Sequence, residues 1–404
     1  MSLLANLILN ADSYKASHYL QYPAGTSCVS SYIESRGGRF DRTVFFGLQM
    51  FIKQYLLTPI TRADIDEAEA LLVAHGLPFN RAGWEYIVNE YRGFLPLEIE
   101  ALPEGSVVNT HNVLVQVRNT DPDCAWLTSY IETALLRAVW YPTTVASVTW
   151  QCKQIIRRYL QMTADTTDGL PFKLHDFGAR GVSSAESAAI GGLAHLVNFQ
   201  GSDTLAAVLA ARRYYGEAMA AFSIPATEHS TVTSWGRDGE QAAYANLLKQ
   251  FAAPGKLVAC VSDSYDLWYA IDMLWGEALK EVIESSGGTL VVRPDSGDPV
   301  EIVSGTVERL MAKFGFSINS KGYKLLPPCV RVIQGDGIDV DSLAAILAEM
   351  ERRGLSADNV AFGMGGALLQ HSNRDTQKFA MKASAVCING EWRDVYKDPA
   401  TDPG

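Results

Sequence analysis

Between about residues 170 and 370, short apolar runs recur, and each ends in polar or glycine-rich residues. Phe172-Lys173-Leu174 leads into His175-Asp176-Phe177-Gly178-Ala179-Arg180-Gly181, and Leu257-Val258-Ala259-Cys260-Val261 into Ser262-Asp263-Ser264. Leu290-Val291-Val292 leads into Arg293-Pro294-Asp295-Ser296-Gly297-Asp298, and Val330-Arg331-Val332-Ile333 into Gln334-Gly335-Asp336-Gly337. Val360-Ala361-Phe362 leads into Gly363-Met364-Gly365-Gly366. Amphipathic stretches of helical spacing, such as 340–352, separate several of these runs. Strand, loop and helix in repetition is the pattern of a parallel α/β architecture. A β/α barrel and a doubly wound sheet share this local pattern. In a barrel the chemistry gathers at the C-terminal ends of the strands, which is where the Asp, Arg and Gly residues fall here.

The rest of the chain is organised differently. Residues 27–35 alternate as a strand does, 49–57 have helical spacing, and 127–160 are helical in pattern. Between them, Leu97-Glu98-Ile99-Glu100-Ala101-Leu102, a Pro-Glu-Gly turn, Val107-Val108 and 113–117 read as antiparallel strands. A chain of 404 residues exceeds what a single core usually supports. The expected division is a mixed, mostly β domain over 1–150, a barrel domain over 151–380, and a return to the β domain over 381–404.

Charge and cysteine usage exclude some functions. The net charge of −11 argues against a generic nucleic-acid binder, which carries a basic face. Local arginines still allow anionic ligands. The six cysteines form no CxxC pair and no zinc-finger spacing, and read as reduced thiols of a cytoplasmic protein. The apolar N-terminus is short and lacks a basic region, so it reads as the start of a strand or helix. No run long enough to span a membrane occurs.

Several loops carry candidate chemistry, each beside a plainer reading. Arg293 offers a planar donor face and Asp295 an acceptor for ribose hydroxyls; the same residues make a βα turn with an acidic helix cap. Gln334-Gly335-Asp336-Gly337 suits close backbone approach to a sugar and also a tight turn. Gly363-Met364-Gly365-Gly366 suits a phosphate at a helix start and also close helix–strand packing. Glu228-His229-Ser230-Thr231 holds the one histidine in a polar cluster suited to nucleophilic work; a lone histidine is also often structural, and the same Ser/Thr-rich turn can simply start a helix. His175 and His195 read as structural. Asp203, in Gly201-Ser202-Asp203-Thr204, reads by itself as a helix N-cap. No spacing of His, Asp and Glu defines a metal cage, so metal ligands stay unassigned, and Gly-x-Ser-x-Gly is absent.

Together these segments resemble the nicotinamide phosphoribosyltransferase family. The resemblance lies in Asp12-Ser13-Tyr14-Lys15, the segment from His175 to Ser184, Glu228-His229-Ser230-Thr231 and Val261-Ser262-Asp263-Ser264-Tyr265-Asp266. It continues in Arg293-Pro294-Asp295-Ser296-Gly297, 321–328 and Ile333-Gln334-Gly335-Asp336-Gly337, in order along the chain. It implies a type II phosphoribosyltransferase fold, an irregular β/α barrel beside a mostly β domain, in a homodimer with active sites at the subunit interface. It implies nicotinamide and 5-phosphoribosyl 1-pyrophosphate as substrates, nicotinamide mononucleotide and pyrophosphate as products, Mg2+, and ATP hydrolysis coupled through a phosphohistidine, His229.

The resemblance also implies residue roles. Phe177 and Tyr14 sandwich the pyridine, with Tyr14 from the second subunit. Asp203 accepts from the carboxamide, and Arg293 lies near the ring. Asp295 and Asp336 hold ribose hydroxyls, and Gly335, Gly365 and Gly366 admit the 5-phosphate. Arg36, Arg180, Arg374, Lys382 and Lys397 bind pyrophosphate or the phosphohistidine, and Asp263 supports His229. The alternatives are a nicotinate phosphoribosyltransferase and a non-catalytic binding or signalling protein on the same fold. Family members continue beyond Lys397-Asp398-Pro399 with a basic segment, so the 381–404 segment is expected to be either naturally short or truncated, and ATP coupling and pyrophosphate binding depend on whether that basic segment is missing. Ala179 stands where some relatives carry an aromatic residue, which widens the expected pocket beside Phe177.

Overall fold

The computed structural model describes residues 5–401; the first four residues, and the end of the 381–404 segment from 402 on, lie outside the described residues. The chain divides into two compact units, 148–371 and 1–147 with 372–404. The division falls inside the long helix Glu132–Thr163.

The unit 148–371 is built on a six-stranded parallel sheet. Its order is Gly201–Ser202, Leu174–Asp176, Val360–Met364, Val330–Gln334, Thr289–Arg293 and Leu257–Val261. All five pairings are parallel, as the strand–loop–helix repetition requires. Alternate residues of each strand face opposite ways. Ala259, Val291 and Ile333 meet Ala361, Ile224 and Phe177 in one cluster. Their neighbours Val258, Cys260, Leu290, Val292, Val330, Val332, Val360 and Phe362 are buried on the other face.

The segment 222–227 links the two outer strands of that sheet. Phe222 bridges Gly201 and Ala226 bridges Ala259, both in parallel. Four backbone bonds secure it: Ser202 N to Phe222 O at 3.1 Å, Phe222 N to Gln200 O at 2.8 Å, Ala259 N to Pro225 O at 2.9 Å, and Thr227 N to Ala259 O at 3.1 Å. The sheet is therefore closed into an irregular barrel. Pro225 has no N–H to give, so this closing segment carries bridges and not a full ladder.

The other unit holds a five-stranded antiparallel sheet in the order Glu391–Asp394, Phe379–Ile388, Thr26–Ser35, Val113–Asn119, Leu97–Ala101. Its C-terminal strands come from the end of the chain. Helices Arg62–Ala74 and Arg81–Tyr91 pack through Ile65, Ala68, Leu72, Trp84 and Ile87 in the same unit. Val107–Asn109 does not join the sheet beside Leu97–Ala101. It pairs instead with Arg42–Val44. Gly105 N donates to Phe45 O at 2.8 Å, and the Glu104 carboxylate takes the amides of Gly47 and Gln49. The turn after Leu102 is thus tied to a distant segment, and the strand that follows goes with it. Among the described residues, no helix is long and apolar enough to cross a membrane.

Candidate active site

The loops at the C-terminal ends of the barrel strands hold most of the residues singled out in the sequence. Asp176 and Ser202 pair in register, so Phe177 and Asp203 leave adjacent strands side by side. Asp203 N donates to Asp176 O at 3.0 Å. Asp176 is fully buried, and its carboxylate takes the Gly178 amide at 2.7 Å, which fixes the turn after Phe177. The Phe177 ring lies against Gly363 and Gly335. A Cβ on Gly363 would overlap the ring, and one on Gly335 would come within 3.4 Å of it.

Asp203 is exposed, and its carboxylate accepts the Ser223 hydroxyl. Helix Leu205–Ala210 has Thr204 in the capping position and no side-chain cap bond. The helix-cap reading of Asp203 therefore fails, and the carboxylate is presented at the barrel mouth. Ser223, from the closing segment, carried no signal in the sequence beyond its place six residues before His229.

His175 and His195 are structural here. The His175 ring packs against Gly201, where a Cβ would come within 2.6 Å, and burial lowers its pKa against the opposing pull of Asp203. The His195 Nε2 meets Gly201 O at 3.0 Å, and its ring stacks on Phe199.

His229 opens the short helix His229–Thr233, behind a Glu228 capping box. Its ring is half exposed. Nδ1 lies 3.2 Å from the Ser264 hydroxyl, while Nε2 is 3.7 Å from Asp263 and 3.5 Å from Asp295. Asp263 is nearly buried; its Oδ2 accepts from Ser296, and its Oδ1 has no hydrogen-bond partner among the described residues. Arg293 reaches Asp295 at 3.3 Å, and its buried Nε also lacks a partner among the described residues. Buried polar groups left unmatched in this way are costly and are common where a ligand completes the set.

The turn readings of the acidic loops are resolved residue by residue. Asp298, not Asp295, caps helix Pro299–Phe314 through the Val300 and Glu301 amides. Asp339, not Asp336, caps Val340–Arg352. Asp295 and Asp336 are thereby left for other work, and Asp336 is exposed. Gly365 precedes the four-residue helix Gly366–Leu369. The Gly178 and Gly181 turn packs on this loop, with Gly365 O 2.9 Å from a Cβ on Gly178. Arg180 lies exposed in that turn.

Tyr14, Arg36, Arg374, Lys382 and Lys397 belong to the other unit. Tyr14 is 57% exposed, its ring edge-on to His18. Beside it, buried Lys15 bonds Glu132 at 2.7 Å. Arg36 donates to Glu34 at 3.0 Å and its amide to Lys378 O, while Lys382 pairs across from Tyr32. Arg374 meets Asp375 at 3.3 Å, and Lys397 is exposed. Among the described residues, no group of three His, Cys, Asp or Glu side chains forms a metal site.

Comparison with known proteins places this geometry. The nicotinate phosphoribosyltransferase (NAPRTase) family matches residues 172–404, and the nicotinamide phosphoribosyltransferase N-terminal domain matches 6–99. A nicotinamide phosphoribosyltransferase of Xanthomonas campestris pv. campestris (strain 8004) is 60% identical over 405 residues, spanning 100% of this chain and 86% of the relative. One from Acinetobacter baylyi (strain ATCC 33305 / BD413 / ADP1) is 33% identical, spanning 100% of this chain and 87% of the relative. Among solved structures, nicotinate-nucleotide pyrophosphorylase from Pyrococcus furiosus aligns with a TM-score of 0.59 at 16% identity, over 100% of this chain and 86% of that one. Human nicotinic acid phosphoribosyltransferase aligns with a TM-score of 0.59 at 19% identity, over 93% and 74%. These two likenesses concern the fold.

Proposed function

The chain belongs to the nicotinamide phosphoribosyltransferases within the nicotinate phosphoribosyltransferase family, and from that premise we propose how its site works. It joins nicotinamide to 5-phosphoribosyl 1-pyrophosphate, giving nicotinamide mononucleotide and pyrophosphate, a reaction of NAD salvage. The observation that carries the reading is the identity of 60% along the whole chain with a nicotinamide phosphoribosyltransferase. The clustering of Phe177, Asp203, Arg293, Asp295 and His229 around one barrel mouth is what that reaction needs.

The pyridine stacks on Phe177, and Tyr14 from a second copy of the chain covers its other face, as suits a flat ring. The exposure of Tyr14 supports this, and on this reading the working enzyme is a homodimer. Asp203, with one oxygen held by Ser223, accepts from the carboxamide through the other. Arg293 lies near the ring and the carboxamide. Asp295 and Asp336 take the ribose hydroxyls. Gly335, Gly365 and Gly366 leave room for the 5-phosphate to meet backbone N–H groups.

The ring nitrogen of nicotinamide already carries its lone pair, so no strong base is required. The protein's task is to hold that nitrogen in line with the anomeric carbon and to stabilise the departing pyrophosphate. Arg180, Arg36, Arg374, Lys382 and Lys397 supply cations for the second task. A magnesium ion would add charge neutralisation at the leaving group. Asp295 and Asp336 suit the mode in which this ion is held by one or two carboxylates together with substrate phosphates.

ATP is a co-substrate acting through His229. Asp263 and Asp295 lie near Nε2 and the Ser264 hydroxyl meets Nδ1, so the ring is held in place to take a phosphoryl group. The γ-phosphoryl of ATP passes to the imidazole, releasing ADP, and water later releases phosphate. While in place, the added charge orders the cations that bind the sugar substrate. Cytoplasmic residence fits the cysteines: among the described residues no disulfide joins any of the six.

The test is direct. The protein is incubated with phosphoribosyl pyrophosphate and either nicotinamide or nicotinate, with and without ATP, and the mononucleotide is measured. Faster product formation from nicotinamide, stimulated by ATP, is expected. Faster turnover of nicotinate would assign the other activity.

A further inference from the structure

We propose that Gln334 is a positioning residue that sets the ribose-binding turn from behind. The inference rests on the reading that Asp336 holds the ribose diol. Gln334 ends the strand Val330–Gln334 and is fully buried. Ile333 belongs to the cluster with Phe177, Ala259 and Val291, so Gln334 points to the opposite face, with Val330 and Val332. That face is otherwise apolar along this strand, and a leucine or methionine would suit it.

Instead the chain buries a primary amide there. Gln334 Nε2 donates to the Asp336 carbonyl at 2.9 Å, while its buried Oε1 has no hydrogen-bond partner among the described residues. An unmatched buried acceptor weakens the fold. What the amide provides in return is one bond, and that bond fixes the peptide carrying Asp336, two residues on. A Cβ on the intervening Gly335 would come within 3.4 Å of the Phe177 ring, so the ring backs the turn from its other side. Asp176 works alike on its own strand: it is fully buried and holds the Gly178 amide of the turn after Phe177. A rigid turn presents the Asp336 carboxylate and the Gly335 amide already placed for the sugar, which lowers the cost of ordering them on binding.

The experiment is steady-state kinetics on the full-length protein carrying Gln334→Met, with Gln334→Leu as a second variant, beside Asp336→Ala and the double variant. Melting temperatures are measured in parallel. The expected result is a rise of about tenfold in KM for phosphoribosyl pyrophosphate, the scale of one hydrogen bond. KM for nicotinamide should move less than twofold, and the melting temperature should hold or rise. In the double variant the two losses should be less than additive, because both act through one turn. Equal shifts in both KM values, or a lowered melting temperature with neither KM changed, would make Gln334 merely structural and overturn the proposal. If Gln334→Met and Gln334→Leu leave the sugar KM unchanged while Asp336→Ala raises it, the proposal fails and the ribose reading stands. If Asp336→Ala itself leaves that KM unchanged, the ribose reading fails and takes the proposal with it. Should both Gln334 variants fail to fold, the amide is required for the fold, which also overturns the positioning role.

Discussion

Replacing Asp203 by asparagine tests how the enzyme chooses its pyridine. Nicotinamide offers N–H donors to the carboxylate, whereas nicotinate offers a second anion. Two unit charges about 4 Å apart repel by about 1 kcal/mol in bulk water and about 4 kcal/mol at an effective dielectric constant of 20. Asp203 is exposed in the open site, which favours the lower figure. A pyridine stacked on Phe177 covers the carboxylate from water, which raises it. The lost charge-assisted hydrogen bond adds about 1.5 to 3 kcal/mol. With a repulsion of about 1.5 kcal/mol, a little above the bulk-water figure, these amount to about 3 to 4.5 kcal/mol, or roughly 150- to 2000-fold discrimination in kcat/KM.

Asparagine keeps the shape and removes the charge. The ratio of kcat/KM for nicotinamide over nicotinate should fall to roughly tenfold or less, mostly by a gain on nicotinate. Ser223→Ala should fall between wild type and Asp203→Asn, because it frees the carboxylate to rotate but leaves its charge. The assay is mononucleotide formation from each pyridine at saturating phosphoribosyl pyrophosphate. An Asp203→Asn enzyme that still rejected nicotinate more than 100-fold would refute the electrostatic account.

Three further outcomes are expected. His229→Ala should abolish ATP hydrolysis yet leave slow, ATP-independent mononucleotide synthesis; complete loss at saturating substrates would count against the phosphohistidine. Gly363→Ala should displace the Phe177 ring, raising KM for nicotinamide at least tenfold with little change for phosphoribosyl pyrophosphate, as read by initial rates. In the other unit, burial pushes the Asp121 carboxyl up, but hydrogen bonds from Tyr91, the Asp123 amide and Tyr86 outweigh it and hold the group below its ordinary value. A carboxyl lowered by folding contributes stability above its unfolded pKa of about 4, and loses it as pH falls through the folded value. Asp121→Asn should therefore melt below wild type at pH 7, and the gap should close toward pH 3.

What the sequence made visible follows from where the signals are local. Four barrel strands announced themselves because a strand buried on both faces is a largely continuous apolar run, whereas the run Phe172-Lys173-Leu174 meets its strand, Leu174–Asp176, only at Leu174, Leu170–Phe172 being a 3-10 helix. The remaining edge strand, Gly201–Ser202, has two residues and no such run, and the closing segment 222–227 is interrupted by Pro225. Both were illegible for that reason, and Ser223 was lost with them. The acidic loops show the converse. Asp295 and Asp298 are alike as letters, as are Asp336 and Asp339, and only the amide donors of Val300, Glu301, Asp341 and Ser342 tell a capping carboxylate from one that caps no helix. By residue type Asp203 suits a cap, but a cap needs an amide within reach, and its carboxylate meets the Ser223 hydroxyl instead. Gln334 carries no sign of a role in the sequence, since the alternation that turns it away from the site is set by Ile333 and the barrel interior. The residues hardest to read are thus those that act on the site through a neighbour, because their partners are distant in sequence or are backbone atoms with no letter of their own.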